Sequence, residues 1–503
     1  MNKFLCWPMA VLSLASAHPA QAAWQKAATR HFIIYSEQKP TELRAFAERL
    51  ERFDQAARNM LGMADPRIGD GNRLTIYVLN SVAAVQKLGD AGDKSLYGFY
   101  QGRYTGPLAF TPRKADEGGR GALKADAVLF HEYGHHLMFQ NFDKPFPNWY
   151  VEGFAELLST PVFGKDGSVM IGTSPVHRAY GLFSGDGLTS RQVLESQPAK
   201  LSPAQRESIY GRGWLLVHYL TFEPSRSGQL SAYIANLSKG QPAAAAAVDA
   251  FGDLKQLDRE LNKYVLRRRL AAMSIASGAI NTGPIEVAPV SAGGSEAMPW
   301  RIMSKRGVNP TTAATVVGKL RPIGARYPDD PLVQVALAEA EFDAGAPKAA
   351  LAAANAVLRA EPRNVEGLIY KGRALIEMAR KDKGTGSFAE GREAYLAANK
   401  IDTEDPEPLY LYFQSYLHEG KRPSANAIAA LHYASVLSPQ DQGLRISSAL
   451  AWFNESKLDK ARADLLPIAY DPHGGDLAAS ARSAIEKIDA NDRKGGIAAL
   501  EKR

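Results

Sequence analysis

Apolar and polar residues follow two different patterns along this chain, and the change falls between residues 275 and 309, a stretch rich in Gly and Pro. Before this linker, short apolar runs typical of strands are interleaved with amphipathic helices, whereas after it the pattern is helical throughout. The predicted strands are 24–36, 74–79, a hairpin over 97–112 with its turn near Gly102, and 285–289, and the predicted helices before the linker include 41–61, 125–139, 206–220 and 254–274. We therefore predict an α+β domain, with a mixed sheet and helices, followed by an all-α domain.

The helical part of the chain repeats itself. Pro328 and Pro362 stand in similar turns 34 residues apart, and the small residues Ala338 and Gly372 have the same spacing, with an insertion near 381–387 displacing the next turn. A helix–turn–helix period of 34 residues resembles tetratricopeptide repeats (TPR). The resemblance implies a groove that binds a peptide or protein partner. The alternative is a helical appendage that only shields the first domain.

The first 22 residues have the features of a signal peptide: a positive start at Lys3, an apolar run over 4–17, and the small-x-small end Ala20-Gln21-Ala22. We predict cleavage after Ala22 and a periplasmic or secreted protein. This run is too short to span a membrane, and no later stretch reaches about 18 apolar residues, so no transmembrane segment is predicted. Cys6 is the only cysteine, so the processed chain would hold no disulfide and no thiolate metal ligand. The predicted units are the signal peptide 1–22, the α+β domain 23–300 and the helical repeat domain 301–503.

The charge of the chain gives no sign of a nucleic-acid partner. The formal net charge is +7, from 60 Lys and Arg against 53 Asp and Glu. The densest basic run, Arg267–Arg269, falls in the helix predicted over 254–274, where we interpret it as a solvated or interdomain face. Nucleic-acid binding would call for broader basic clustering with stacking aromatic residues.

The strongest chemical signal is His131-Glu132-Tyr133-Gly134-His135, which lies in the predicted helix 125–139. Residues four apart share one helix face about 6 Å along the axis, so His131 and His135 can bind one ion. A catalytic zinc ion has three protein ligands and leaves one position to water. Glu132 follows the first histidine, where its carboxylate can take a proton from that water. The pattern predicts a zinc-dependent peptidase.

The third ligand comes from a second short helix, which carries Glu152. Its prolines and the short link from the first helix predict two antiparallel neighbours. Glu156, one turn after Glu152, is placed to accept a hydrogen bond from a ligating imidazole, which would fix that ring's orientation. The alternative for Glu156 is a solvated glutamate on the helix face.

The motif His131-Glu132-x-x-His135 followed by Trp149-x-x-Glu152-Gly-x-Ala resembles the gluzincin metallopeptidases, closest to the bacterial peptidase MA-like proteins. The resemblance implies a zincin-like catalytic domain and one zinc ion per chain, bound by His131, His135 and Glu152, with Glu132 as general base. A metzincin would need Gly at 138 and His at 141, where this chain has Met and Asn.

The resemblance also implies two further features of the site. Gluzincins pair extended substrate with an edge strand above the active-site helix, and 106–111 is the candidate here; the alternative is an ordinary core strand. A tyrosine often donates a hydrogen bond to the oxyanion, and Tyr210 is the best match; the alternative is a core tyrosine. His177 and His218 are interpreted as structural histidines.

Two functional hypotheses follow from these features. In the first, the protein is an exported zinc metallopeptidase that hydrolyses a peptide or protein substrate, and the helical repeats recruit that substrate or a partner. In the second, the metallopeptidase-like domain is inactive and the protein serves as a scaffold in protein assembly in the cell envelope. The complete set His131, Glu132, His135 and Glu152 favours the first. No site for an organic cofactor is predicted.

Overall fold

The computed structural model describes residues 23–89, 96–114, 123–183, 188–196, 201–381, 384–471 and 474–501. The predicted signal peptide, 1–22, lies outside the described residues. Within the described ranges, no helix is both long enough and apolar enough to cross a membrane.

The first part of the chain builds a mixed sheet, as predicted. Its strands, in chain order, are β1 (Gln25–Ala28), β2 (Phe32–Ser36), β3 (Leu74–Leu79), β4 (Phe99–Gln101) and β5 (Leu108–Pro112), and a later strand, Glu286–Pro289, completes it. A smaller antiparallel sheet contains β6 (Val162–Phe163), β7 (Val169–Ile171) and β8 (Met273–Ile275). The last strand of the main sheet, Glu286–Pro289, is therefore numbered β9. The order in the main sheet is β4–β5–β3–β2–β1–β9, with β2–β3 and β3–β5 parallel and the other pairs antiparallel.

The single strand predicted over 24–36 is two antiparallel strands. The chain reverses between them at Thr29, whose backbone N–H donates to the carbonyl of Phe32 at 2.9 Å and whose hydroxyl accepts from the backbone N–H of Phe32 at 3.0 Å. Thr29 thus closes the turn with its own side chain, a local interaction that the strand-like pattern over 24–36 does not reveal.

The edge-strand prediction for 106–111 is wrong. These residues largely form β5, which is buried along its length and lies between β3 and β4. The strand at this end of the sheet is β4, which pairs with β5 from Phe99 opposite Phe110 to Gln101 opposite Leu108. The alternative, a core strand, therefore holds for β5.

The helices of this domain are α1 (Pro40–Leu61), α2 (Val82–Leu88), α3 (Ala125–Asn141), α4 (Asn148–Leu158), α5 (Ala179–Phe183), α6 (Ser190–Leu194), α7 (Pro203–Phe222), α8 (Gln229–Ser238), α9 (Ala243–Phe251) and α10 (Leu254–Val265). The helix predicted over 254–274 ends early, at Val265. Arg267 leaves it to pair with Glu223 at 2.9 Å, and its guanidinium lies 4.6 Å from the centroid of the Tyr264 ring. The following residues return as β8, which extends the smaller sheet beside β7.

One apolar core joins the sheet to α1, α3, α4 and α7. The rings of Phe53 on α1 and Phe130 on α3 lie 4.4 Å apart, and Tyr133 packs 5.0 Å from Phe32 on β2. The helix that carries the histidine motif is therefore held by the core on one side, which orients its other side.

The remaining helices form a continuous array, which we call the helical array. They are α11 (Ala292–Arg306), α12 (Pro310–Arg326), α13 (Pro331–Asp343), α14 (Pro347–Ala360), α15 (Val365–Lys381), α16 (Phe388–Ile401), α17 (Pro406–His418), α18 (Ala425–Leu437), α19 (Gln442–Asn454), α20 (Leu458–Ala469), α21 (Gly475–Asp489) and α22 (Arg493–Glu501). Successive helices pack against each other in pairs, which confirms the helical repeat. Helix α11 runs across residue 300, where the sequence analysis divides the domains.

The predicted turns of the repeat begin the first helix of successive pairs. Asp330, Asp405 and Asp441 cap α13, α17 and α19, each accepting a backbone N–H of the first turn. The small residue predicted at Gly372 on α15 is required, because a Cβ there would lie 2.4 Å from the ring of Tyr395 on α16. The period in the sequence therefore reflects both caps and close helix packing.

The helical array packs against the α+β domain. Met298 and Ile302 of α11 cover the face of the sheet that carries Tyr35 and Tyr77. A cavity of about 650 Å³ lies between the two, lined by residues of both. The surface of the array that faces the sheet, which we call the inner face, is thus in contact with the chain's own first domain.

Candidate metal centre

Three helices meet at the histidine motif. Gly134 on α3 lies against α4, where a Cβ would be 3.0 Å from the Cα of Ala155. Gly153 on α4 lies against α7, where a Cβ would be 2.4 Å from the carbonyl oxygen of Gly213. Side chains at these positions would separate the helices, so the small residues allow α4 to carry Glu152 to the histidines.

The three predicted ligands converge. The Nε2 atoms of His131 and His135 are 3.1 Å apart, and Glu152 Oε2 is 3.4 Å from the first and 3.7 Å from the second. Ligand atoms about 2.0–2.1 Å from a tetrahedral zinc ion lie about 3.3–3.4 Å from each other. The donor set of two imidazoles and a carboxylate, and its spacing, therefore both fit zinc.

The electrostatics of the site favour a positive charge. Burial opposes protonation of His131, but the carboxylates of Glu152 and Glu156 outweigh it and raise the pKa of His131 to about 10. The same field that attracts a proton attracts a metal cation, because both place positive charge between buried carboxylates.

Glu156 lies behind His131, as predicted, and is not solvated: it is 1% exposed. Its Oε1 lies 3.0 Å from His131 Nδ1, and its Oε2 lies 3.2 Å from His177 Nε2. Because the Glu156 carboxylate lies at the Nδ1 side of the ring, the Nε2 atom of His131 is turned toward the other ligands. His177 thus helps to hold the Glu156 carboxylate in place behind His131.

Arg178 is a part of the site that the sequence analysis missed. Its Nη2 and Nε atoms lie 2.7 and 2.8 Å from Glu156 Oε1, and its Nη1 lies 3.2 Å from Glu207 on α7. Although burial opposes ionisation of Glu156, Arg178 and His131 hold the pKa of Glu156 well below its usual range. Arg178 belongs to a single 3₁₀ turn, Val176–Arg178, which has no periodic signal in the sequence.

Tyr210 lies beside the cluster on α7. Its ring centroid is 5.9 Å from that of His131, and the Arg178 guanidinium lies 4.3 Å from the centre of its ring. The charge of Glu152, with burial and the charge of Glu132, raises the pKa of Tyr210. The Tyr210 hydroxyl therefore stays protonated and can donate a hydrogen bond.

Glu132, the predicted base, is half-buried and follows His131 on α3. Burial is the largest cause of the raised pKa of Tyr100, and the charges of Asp441 and Glu132 add to it. His136 points away from the cluster, and its Nδ1 lies 2.9 Å from the Tyr100 hydroxyl. His218 is structural, as predicted, because its Nε2 lies 3.0 Å from the carbonyl oxygen of Gly172.

A second group of histidine and carboxylates lies beneath α3. His31 Nδ1 is 2.7 Å from Glu51 Oε2 and 3.4 Å from Asp54 Oδ2, so the three could also hold a metal by distance alone. Arg58 Nε donates to both oxygens of Asp54 at 2.9 and 3.0 Å, and the Tyr133 hydroxyl donates to Asp54 Oδ1 at 2.6 Å. We call this group the buried ionic cluster.

No protein-family model matches this chain, and a search of curated proteins found no match either. Among solved structures, it is similar to TTC0263, a thermophilic TPR protein of Thermus thermophilus, at 18% identity over 38% of this chain and 99% of that chain, with a TM-score of 0.32. PilF of Pseudomonas aeruginosa is similar at 16% identity over 42% and 90% of the two chains (TM-score 0.32), and a double mutant of MamA RS-1 at 16% over 38% and 98% (TM-score 0.28). With TM-scores below 0.5, these likenesses bear on no functional argument.

Proposed function

We propose that this protein is a zinc-dependent metallopeptidase. The observation that carries the proposal is the convergence of His131 Nε2, His135 Nε2 and Glu152 Oε2 at 3.1 to 3.7 Å, the spacing of ligands around one tetrahedral ion. A zinc ion bound there would supply Lewis-acid polarisation of a peptide carbonyl and lower the pKa of a water molecule.

The chain's own residues divide the remaining work. Glu132 accepts a proton from the attacking water and returns it to the leaving nitrogen. Glu156, held by Arg178, keeps the His131 ring in the orientation that presents Nε2. Tyr210 keeps its proton and donates a hydrogen bond from its hydroxyl to the carbonyl oxygen that becomes negatively charged when water attacks.

We assign the substrate-pairing strand to β4 rather than to β5. Strand β4 lies at the end of the main sheet nearest α3, and its Tyr100 contacts His136 on that helix. An extended peptide can add to such an edge through backbone hydrogen bonds, which recognise the main chain rather than particular side chains.

The test is Glu132→Gln, with Glu195→Gln as a matched control at an exposed position. Glutamine keeps the shape of the side chain but cannot take the proton, so hydrolysis of an unstructured peptide should fall by about 10²–10⁴-fold. Zinc content by elemental analysis should stay at that of the parent. Unchanged hydrolysis in Glu132→Gln would remove Glu132 from the mechanism.

The second candidate function is that of an assembly scaffold without peptidase activity. The observation that favours it is the size of the helical array and the apolar side chains exposed on it, among them Leu417 at 54% and Val436 at 72%. Because the inner face contacts the chain's own first domain, a partner would bind these outward residues. A parent protein that binds zinc but cleaves no member of a peptide library would support this function.

A further inference from the structure

The loop between β4 and β5 inserts into the inner face of the helical array. The Tyr104 ring lies 4.7 Å from the Tyr410 ring on α17, edge to face, and packs against an apolar cluster of α17, α18 and α19. The Tyr104 backbone N–H donates to Asp441 Oδ2 at 2.9 Å, while Asp441 Oδ1 caps α19. The Asp441 carboxylate thus caps α19 with one oxygen and holds the loop with the other.

Neighbouring residues of the same hairpin are held as well. Gln101 Nε2 donates to the carbonyl of Arg306 at 3.3 Å, and Arg103 donates to the carbonyl of Lys305, both at the end of α11. A Cβ on Gly102 would lie 2.9 Å from the Gln440 side chain, so the backbone itself reaches the array. The hairpin is therefore held by the array at two places, the end of α11 and the start of α19.

The hairpin also connects the array to the metal centre. Tyr100 lies on β4, four residues before Tyr104, and its hydroxyl is 2.9 Å from Nδ1 of His136, the residue next to His135. The two rings meet edge to face at 5.4 Å. Strand β4 thus links the contact of Tyr104 with the helical array to helix α3.

We propose that Tyr104 is a positioning residue through which the helical array holds strand β4 in register beside the metal-ligand helix. This inference rests on the proposed peptidase function, because β4 is the strand that would receive substrate. The array then acts on catalysis from within the molecule, by fixing the strand, instead of by recruiting substrate into an open groove. Tyr104 touches neither the metal ligands nor the reacting atoms.

The experiment uses the full chain and compares Tyr104→Ala and Tyr410→Ala, singly and together, with Tyr104→Phe, which keeps the ring. Tyr433→Ala, a half-exposed tyrosine elsewhere on the array, is the matched control. Hydrogen–deuterium exchange of the amides of 99–101 reports the strand directly. KM and kcat for an unstructured peptide, with zinc content, report the site.

Loss of an edge-to-face aromatic pair corresponds to about a 2- to 10-fold effect. Tyr104→Ala and Tyr410→Ala should each speed exchange in β4 and raise KM by about that factor, with kcat and zinc content unchanged. The double variant should add little to either single change, and Tyr104→Phe and Tyr433→Ala should match the parent.

Unchanged exchange in β4, or faster exchange with unchanged KM, would overturn the inference. A fall in kcat together with loss of zinc would also overturn it, since that pattern indicates general damage to the domain. A parent that cleaves no peptide would refute the proposed function instead, and exchange in β4 would still decide whether Tyr104 holds the strand.

Discussion

Two groups of histidine and carboxylate side chains lie on opposite sides of α3, and they differ in which donors of the chain face their carboxylates. In the buried ionic cluster, donors of the chain already face the carboxylates: Arg58 and Tyr133 bond Asp54, and the His31 backbone N–H bonds Glu51 at 2.8 Å. At the candidate metal centre, two imidazole Nε2 atoms and a carboxylate oxygen face one another.

The difference shows that residue types and distances do not by themselves define a metal site. Arg58 supplies the positive charge that the buried ionic cluster needs, and His31 is held at its other nitrogen by Asp65 at 2.9 Å. In the candidate metal centre, Arg178 lies behind Glu156, one layer out from the ligand atoms. Under the proposed function, a zinc ion would supply the positive charge among the ligand atoms of the candidate metal centre.

The largest expected effect comes from removing a ligand from each group. Glu152→Ala should weaken zinc binding by more than about 100-fold, beyond the loss seen for outer-shell changes, because one of three protein ligands is gone. Glu51→Gln, which removes the charge of a carboxylate from the buried ionic cluster, should leave zinc content as in the parent. Elemental analysis of both variants after dialysis makes the comparison. Full zinc occupancy in Glu152→Ala would exclude Glu152 from the ligand set.

The next expected effect is a loss of stability when a carboxylate of the buried ionic cluster is removed. Asp54→Ala should lower the free energy of unfolding by about 3–5 kcal/mol, because it leaves the buried Arg58 guanidinium without its carboxylate partner. Denaturant titration measures this change, with the zinc-saturated parent as reference. Equal stability of Asp54→Ala and the parent would show that the cluster contributes nothing to folding.

A smaller effect is expected behind the metal centre. Glu156→Gln should weaken zinc binding by about 10- to 100-fold, because His131 loses the charged acceptor at Nδ1 that sets its orientation. Competition with a chelator measures the affinity. An affinity equal to that of the parent would reduce Glu156 to a packing role.

The smallest effect is a dependence of stability on pH that the buried ionic cluster contributes through His31. Burial opposes protonation of His31, but Glu51, Asp54 and Asp65 raise its pKa in the folded state. A raised pKa means that folding favours the protonated form, so its contribution is full below about pH 6.5 and is lost as pH rises through the folded pKa. Stability of the parent should fall over that range more steeply than that of His31→Gln. Parallel curves would contradict this assignment.

The convergence of His131, His135 and Glu152 was predictable from sequence because its geometry is local. The four-residue spacing of His131 and His135 fixes one helix face, and the glycines and prolines around Glu152 define a second helix close by. Arg178 was not predictable, since a single 3₁₀ turn has no period. The position of β5 inside the sheet depends on pairing with β4 and β3, and the contact of Tyr104 with Asp441 joins residues 337 apart in the chain. The residue pattern along the sequence does not reveal contacts between residues so far apart in the chain.

The most direct test of the zinc centre is anomalous X-ray scattering at the zinc edge from crystals of the full-length protein grown with equimolar zinc. We predict one strong peak, bounded by His131 Nε2, His135 Nε2 and the Glu152 carboxylate. A peak at His31, Glu51 and Asp54, or none between the three predicted ligands, would contradict the assignment.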